Sequence, residues 1–319
     1  MRYVPSDRSQ VRHARFEPIE DRLVFSGLPW SDVCVAEPDF INKIPNWDDV
    51  APALAPIGTY SNLLSPASSI RNLYGFEGAG QTVAVIDSGI AYDHLALGGG
   101  FGTGYQVVGG WDFTEENDAD PYDDGPAGFH GTHVSGIIAN RDAARPGVAP
   151  GADLVALRVF NDMGLGYSQW VEQALRWVHT HRDDFRFPIT TVNMSLGSSW
   201  NGSAPPNWEV FEDELATLEQ DGIFVSVAAG NSFADFGTPG LAYPAASPHV
   251  VAVASVDSAG QLSDFSQRLD RVLAAPGEDI TSTVPEHIFG TDGYVNDWAS
   301  VSGTSMAAPY VAGASVLVR

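Results

Sequence analysis

The chain has 319 residues, a hydrophobic share of 44% and 8 tryptophans, so it is long enough and apolar enough to bury one large core. Its 40 acidic residues outnumber 16 Lys and Arg and give a formal net charge of -24, which would repel nucleic acids and anionic lipid surfaces. Cys34 is the only cysteine, which excludes an intramolecular disulfide and a cysteine-based metal site, and no run of about 18 apolar residues indicates a membrane span.

Residues 1–75 differ from the rest of the chain. Scattered prolines and few periodic segments predict a mostly irregular preamble with at most a strand and short helical turns. Its stretch ARFEPIEDRLVFSG (14–27) resembles an element that opens many exported bacterial proteins, although the preamble lacks the apolar core of a secretory signal. We therefore expect an extracellular or cell-envelope location.

Short apolar runs alternate with helical stretches in residues 76–319, which is typical of a parallel sheet with helices on its faces. Ser168 is predicted to cap a helix whose apolar residues recur at spacings of three and four, and a second helix follows Phe211 with Leu215 and Leu218 on one stripe. The fold class is therefore α/β. The predicted strands are 82–86, 153–159, 190–196, 223–229 and 250–256.

The glycine-rich segment GGGFGTGYQVVGG (98–110) has glycines at a spacing that dinucleotide sites also use. No predicted strand leads into it and no helix follows it, so we interpret it as a loop without a nucleotide site.

Asp87 directly follows the strand TVAVI, at the carboxyl end where open α/β sheets build their sites. The alternative is that it caps the next segment. His130 opens HGTHVSGIIA, whose small and β-branched residues predict a tightly packed buried helix. His133 follows three residues later, but the pair lacks the i, i+4 spacing and the glutamate of the zinc-protease motif, so we expect His133 to be a structural hydrogen-bonding residue.

Ser305 stands at the start of a second buried helix, in SGTSMAAPYVAG. Gly303 permits a backbone conformation closed to other residues, and Pro309 is expected in the first turn, where its missing N–H costs little. The free N–H groups and partial positive charge of a helix N-terminus stabilise an anion, although a serine alone there could equally be an ordinary cap.

Asn231 follows the strand IFVSVAA, and its amide is able to donate to a developing oxyanion. A nucleophilic serine needs a base, the base needs an orienting acid, and the tetrahedral intermediate needs donors for its oxygen. Acid, imidazole, hydroxyl and amide stand at the ends of four elements, so together they predict acyl-transfer chemistry.

These residues make the chain resemble the subtilisin-like serine peptidases, the subtilases, in which the catalytic residues follow the order Asp, His, Ser. The resemblance implies a three-layer α/β/α fold with a mostly parallel central sheet in residues 76–319. It also implies a monomeric serine endopeptidase that acts on polypeptides and needs no cofactor for its chemistry. The matching stretches are VAVIDSGI, HGTHVSGIIA, GVAPGADLVALRVF, VNMSLGS, VAAGN, YPAASPHVVAVASVD, FSQ, LAAPGEDITST and SGTSMAAPYVAG.

By the same resemblance, Ser305 is the nucleophile, His130 the general base and Asp87 the acid that orients it, and Asn231 assists the oxyanion. Six further residues would bind substrate. Three of them pair with an extended substrate and form one wall of the primary pocket, and three form the opposite wall; together they leave an uncharged slot for a sizeable apolar side chain. These residues are Ser195, Leu196 and Gly197 on one wall and Ala228, Ala229 and Gly230 on the other.

The chain departs from the family pattern at its histidine and at two loops. Phe129 stands where the family usually has glycine before the histidine. The family's calcium loop after the histidine shrinks to NRDAARPGVAP, which offers too few oxygen ligands. The acidic loop DFTEENDADPYDDG (112–125) resembles a second calcium loop of some relatives, with Asp112, Asp118 and Asp120 as candidate ligands of a structural ion; a solvated acidic loop is the alternative that we favour.

Two further departures concern the ends of the chain. CVAEPDF (34–40) resembles the tail of the family's inhibitory propeptide, but little chain precedes it, so we expect that propeptide to be missing, degenerate or replaced. Relatives also continue beyond the serine helix, and we expect this domain to be incomplete at its C-terminus.

Two other functions are compatible with the residues. One is a catalytically silent subtilase fold used for binding or as a structural module, and the other is an esterase or another acyl-transfer enzyme with the same triad. Silent relatives usually lose a triad residue, and none is lost here, so the endopeptidase is favoured.

Overall fold

The computed structural model describes the backbone of Arg15–Pro18 and residues 75–290 and 292–319. Cys34, the propeptide-like segment 34–40 and most of the predicted preamble lie outside the described residues.

Thirteen strands are present in the described residues. In chain order they are β1 (Arg15–Pro18), β2 (Thr82–Asp87), β3 (Val107–Asp112), β4 (Asp153–Arg158), β5 (Gly166–Tyr167), β6 (Ile189–Met194), β7 (Leu196–Gly202), β8 (Phe224–Ala228), β9 (Leu241–Tyr243), β10 (Val251–Val256), β11 (Leu273–Pro276), β12 (Ile280–Thr283) and β13 (Trp298–Val301). The helices are α1 (His130–Ala139), α2 (Ser168–His181), α3 (Glu212–Gln220), α4 (Phe233–Phe236), α5 (Glu286–Phe289) and α6 (Thr304–Leu317), with a 3-10 helix at Leu95–Leu97.

Seven parallel strands form the central sheet, in the order β11-β10-β8-β6-β2-β4-β3. Side chains of β2 alternate between its two faces, as a buried parallel strand requires. Val83 and Val85 pack with α1 and α6, whereas Ala84 and Ile86 pack with α2 and α3 on the opposite face. The fold is therefore three layers, α/β/α, as predicted. The carboxyl ends of β2, β6 and β8 share one edge of this sheet, which gathers the side chains that follow them.

Five of the predicted strands are confirmed as β2, β4, β6, β8 and β10, with ends that differ by one or two residues. Two local predictions were wrong. Ser168 is the first residue of α2 and not its cap, since Tyr167 occupies the N-cap position. The glycine-rich segment is a loop only up to β3: a Cβ on Gly110 would lie 2.0 Å from the Ala156 carbonyl oxygen, so glycine lets β3 lie against β4.

A smaller sheet lies at the same edge, in the order β5-β1-β7-β9. Its strands pair in antiparallel fashion, and β1 is an inner strand between β5 and β7. Strands β12 and β13 form a separate antiparallel pair. Within the described part of the chain, the helices are all too short or too polar to cross a membrane.

Candidate active site

Asp87 and His130 form a buried acid–imidazole pair. Asp87 ends β2 and His130 begins α1; the Asp87 side chain is 0% exposed and that of His130 is 2% exposed. The Asp87 Oδ1 atom lies 2.7 Å from His130 Nδ1 and also accepts the Ser88 backbone N–H at 2.7 Å. An Nδ1–H that donates to the carboxylate leaves Nε2 as the basic nitrogen, which is the tautomer a general base needs. Asp87 therefore contacts His130 in addition to accepting the N–H of the residue that follows it.

Ser305 lies in the first turn of α6, which packs beside α1. Its hydroxyl donates to the Ser195 carbonyl oxygen at 3.2 Å, and the Ser195 hydroxyl donates to the Ser305 carbonyl oxygen at 2.8 Å. The second bond has a clear cause. Pro309 lies in the second turn of α6 and not in the first as predicted, so it has no N–H for the carbonyl of Ser305, four residues earlier. Ser195 supplies the missing donor and ties α6 to the loop after β6.

Asn231 is oriented by the residue that precedes Ser305. Its Oδ1 atom accepts both the backbone N–H and the hydroxyl of Thr304, each at 2.9 Å. The Thr304 hydroxyl in turn accepts the Gly230 N–H at 3.2 Å. Because both bonds engage Oδ1, the amide group of Asn231 is fixed with its NH2 end directed away from Thr304. An amide donor held in this way stands next to the start of α6.

The residues predicted as the two pocket walls are all buried. Strand β9 connects them, because it pairs with β7 on one side and Ala242 N–H donates to the Ala229 carbonyl oxygen at 2.9 Å on the other. Gly230 has φ +111°, and a Cβ there would lie 2.0 Å from Gln267 Oε1, so this position requires glycine. Ala242 thus lies between the walls, and the sequence reasoning gave it no role.

Strand β1 lies along the edge predicted to bind substrate. Its backbone is antiparallel to β7, with Glu17 opposite Gly197 and Pro18 opposite Leu196, and it is antiparallel to β5 on its other side. With this register, the C-terminal end of β1 is the end nearer to Ser195. The slot between β5 and β7 therefore accepts an extended peptide backbone, and in this structure the chain's own segment lies in it.

His133 has the predicted structural role. It is fully buried, and its Nε2 atom lies 3.0 Å from the Ile280 carbonyl oxygen and 3.2 Å from that of Ala299. Burial lowers the pKa of His133 to about 3, with the neighbouring His130 as a further cause. A neutral ring that donates to two carbonyl groups joins α1 to β12 and β13.

Phe129 places an aromatic ring next to the imidazole. Its ring centre lies 6.4 Å from that of His130 and 5.3 Å from that of Phe289 in α5, edge to face in both cases. Phe129 is half-buried, as is Phe289. The glycine-to-phenylalanine departure therefore adds an apolar wall beside His130.

The three candidate calcium ligands make separate contacts. Asp112 Oδ2 lies 3.4 Å from Nε of the buried Arg158, Asp118 accepts the Asp120 N–H, and Asp120 accepts the Tyr92 hydroxyl. Arg158 also forms ion pairs with Asp124 and Asp162, so its buried guanidinium group offsets part of the negative charge of this region. In the part of the chain that the structure describes, no three metal-binding side chains form a cluster. The structure does not bring the three aspartates together, and the calcium site stays a prediction.

Comparisons with known proteins identify the family to which the chain belongs. A model of the subtilase family matches residues 78–319. The chain is 35% identical over 247 residues to a subtilisin of Bacillus pumilus, covering 76% of this chain and 78% of that protein. It is 35% identical over 246 residues to an intracellular serine protease of Paenibacillus polymyxa, covering 76% and 67% of the two chains.

Two further comparisons concern length and structure. The match to subtilisin E of Bacillus subtilis (strain 168) is 35% identical and covers 76% of this chain but 56% of that protein, so the chain spans little more than half of its length. A crystal structure of a cold adapted subtilisin-like serine proteinase superposes with a TM-score of 0.60 at 32% identity, covering 76% of each chain.

Proposed function

The chain belongs to the subtilase family and is a serine-type endopeptidase, and we propose that Ser305, His130 and Asp87 are its nucleophile, general base and orienting acid. The observation that carries this assignment is the buried contact of 2.7 Å between Asp87 and His130 Nδ1, at the edge of the sheet where α6 also begins.

The chemistry follows from the roles of the three groups. His130 Nε2 takes the Ser305 hydroxyl proton as Oγ attacks the scissile carbonyl carbon, and an acyl-enzyme forms when His130 returns that proton to the leaving amine. Water then repeats the sequence and releases the acid product. The Asp87 carboxylate stabilises the imidazolium in both half-reactions.

The oxyanion is stabilised by neutral donors. The Asn231 amide and the Ser305 backbone N–H, at the N-terminal end of α6, donate to the oxygen of the tetrahedral intermediate. Thr304 supports this role, because its two hydrogen bonds fix the Asn231 side chain before substrate binds. Donors oriented in advance need no reorganisation when the charge develops.

The substrate is a polypeptide in an extended conformation. Ser195, Leu196 and Gly197 form the backbone edge that binds it, and the position of β1 supports this, since an extended strand already pairs with Gly197 and Leu196. A small ester has no backbone with which to use such a two-sided slot, so β1 favours the peptidase over an esterase.

The primary pocket accepts a sizeable apolar side chain. Its proposed walls carry only small or apolar side chains, and Ala242 between them adds another small one. We expect cleavage after large apolar residues. The predicted extracellular or cell-envelope location and the predicted monomeric state stay predictions, since the relatives include a protease named as intracellular.

The experiment that tests the proposal is covalent labelling with a fluorophosphonate, combined with cleavage of casein and identification of the new fragment ends by mass spectrometry. The parent chain should be labelled at Ser305 and should cleave casein, whereas S305A should do neither. A control is S315A, which removes another hydroxyl of α6, ten residues further along the chain; its labelling and cleavage should match those of the parent.

Two outcomes would reject the proposal. Labelling that persists in S305A would place the nucleophile elsewhere, and a folded parent chain that is not labelled would identify a silent module. Labelling without any cleavage of casein, together with hydrolysis of simple esters, would select the esterase.

A further inference from the structure

Asp123 is a fully buried carboxylate that the proposed reaction does not use. It lies in the loop between β3 and α1 and is 0% exposed. Its Oδ2 atom accepts the Thr132 backbone N–H at 3.0 Å and the Thr132 hydroxyl at 2.5 Å. A carboxylate without access to water is costly to keep, so its contacts need an explanation.

Thr132 belongs to the first turn of α1, which begins at His130. The residue at the N-cap position is Phe129, which makes no side-chain capping bond. The first N–H groups of a helix have no partner within the helix, and acidic groups near this end are favourable. Asp123 therefore caps α1 from nine residues earlier in the chain, at the turn that carries His130.

Three successive residues of this turn are tied to Asp87 at the end of β2 or to the segment that follows it. His130 contacts Asp87, the Gly131 N–H donates to the Ser88 hydroxyl at 2.9 Å, and the Thr132 hydroxyl accepts the Ala91 N–H at 2.8 Å. Thr132, the last of these three residues, is the one that donates two hydrogen bonds to Asp123.

The loop that carries Asp123 packs closely against the same segment. The Ile90 N–H donates to the Pro121 carbonyl oxygen at 3.0 Å. Gly89 has φ +107°, and a Cβ there would lie 2.7 Å from the Pro121 carbonyl oxygen and 3.0 Å from the Asp123 nitrogen. The backbone that carries Asp123 is therefore packed against the segment after Asp87, while its carboxylate is bonded to Thr132.

We propose that Asp123 is a positioning residue for the general base: by holding Thr132 it fixes the first turn of α1, and with it the angle at which His130 meets Asp87. This inference rests on the proposed function, because it concerns the same imidazole. Asp123 does not touch the reacting atoms and acts through α1.

The protonation of Asp123 adds a dependence on pH. Burial, with a smaller contribution from the Asp87 charge, raises the pKa of Asp123 to about 7, although hydrogen bonds from Thr132 and Ser88 lower it in part. Asp123 thus titrates in the range of an ordinary imidazole. The ionised form accepts both Thr132 bonds, whereas a proton on the carboxyl group weakens them. The charged and titratable groups that act on Asp123 are Asp87 at the end of β2, Arg158 of β4 and Tyr122 of its own loop.

The test compares D123N with D124N. The two changes remove the same charge from adjacent residues, but Asp124 is half-exposed and pairs with Arg158 rather than with Thr132. D123N should lower kcat by about tenfold with KM within twofold of the parent, because a misplaced base slows the chemical step and leaves binding intact. The acid limb of its pH–kcat profile should report one proton, where the parent reports two. D124N should keep the parent profile.

A second pair of variants covers the case in which D123N does not fold. T132V removes the hydroxyl that donates to Asp123, whereas T132S keeps it; T132V should lower kcat and flatten the acid limb, and T132S should match the parent. The inference is overturned if D123N, or T132V in its place, keeps the parent kcat and the two-proton limb. A parent chain that fluorophosphonate does not label would instead reject the proposed function.

Discussion

The two helices that carry the imidazole and the proposed nucleophile are held by different forces. Both α1 and α6 begin at the same edge of the sheet, and they pack beside each other. The first turn of α1 contacts two buried carboxylates, Asp87 and Asp123. In the first turn of α6, Thr304 donates to the Asn231 amide oxygen, and Ser305 exchanges hydrogen bonds with Ser195; both partners are neutral.

Packing shows the same difference. Ala307 and Ala308 of α6 are fully buried, and a Cβ on Gly313 would lie 2.7 Å from the Val148 Cβ, so the fit of small residues fixes this helix. We therefore expect the placement of the imidazole to depend on charge and on pH, and that of the serine to depend mainly on the packing of small residues.

The largest effect is expected on the neutral side. N231A should lower kcat by about 10²–10³, the magnitude typical of removing one oxyanion-hole donor, and should leave KM within twofold. The loss should be the same from pH 6.5 to 8.5, because Thr304 and Asn231 are both neutral. Measuring kcat for parent and variant across that range checks the prediction.

T304V provides a companion to N231A. It removes the hydroxyl that donates to Asn231 Oδ1 but keeps the backbone N–H that also donates there, so its loss of kcat should be smaller than that of N231A. A loss in N231A that grows as the pH falls would show that the serine side also depends on a titrating group, and would remove the contrast between the helices.

The sequence could predict the residues whose place depends on local pattern. Asp87, His130 and Asn231 each follow or begin an element that local periodicity identifies, so their ends could be located without the fold. The same pattern could not show what orients them. Thr304 contacts Asn231 over 73 positions, and Ser195 reaches Ser305 over 110.

Local composition misled the prediction where tertiary contacts decide. The local glycine content predicts a loop at Gly109 and Gly110, but both lie in β3. Glycine is needed at position 109 because a Cβ there would lie 2.7 Å from the Phe185 ring. The calcium site at Asp112 stays a prediction, but nothing near Asp112 in the sequence indicates its ion pair with Arg158 of β4. Such contacts require the fold.

Two buried titratable groups at α1, Asp123 and His133, predict an unusual dependence of the free energy of unfolding on pH. Asp123 has its pKa raised from near 3.8 to about 7, so its contribution is present at low pH and is lost as the pH rises through about 7. His133 has its pKa lowered from 6.5 to about 3, so its contribution is present above 6.5 and is lost as the pH falls. Between about pH 4 and 6.5 the two oppose each other.

D123N should remove one of these opposing contributions. Between pH 6.5 and 4.5 its free energy of unfolding should fall relative to the parent by about 1.4 kcal/mol per pH unit, the value for one proton. Urea denaturation at three pH values checks this, with S305A in both chains to prevent self-digestion and D124N as the control. Parallel pH curves for D123N and its parent would show that Asp123 does not titrate as the buried group that the structure indicates.

The smallest effect is expected at β1. This strand pairs with β7, and Ser195, the residue before β7, is hydrogen-bonded to Ser305. Strand β1 lies between β5 and β7, so the Glu17 backbone N–H is directed at one of these two strands. E17P removes the hydrogen bond of that N–H, whereas E17A keeps it. One lost hydrogen bond, about 0.5–1.5 kcal/mol, should shift β1 out of the slot by about 2–10-fold. Below KM, initial rates on an extended peptide should rise by that factor in E17P and stay unchanged in E17A, with intact mass confirming that each chain still carries its N-terminus. Equal rates, at equal fluorophosphonate labelling, would mean that substrate does not share the slot with β1, and that Ser195, Leu196 and Gly197 do not form its binding edge.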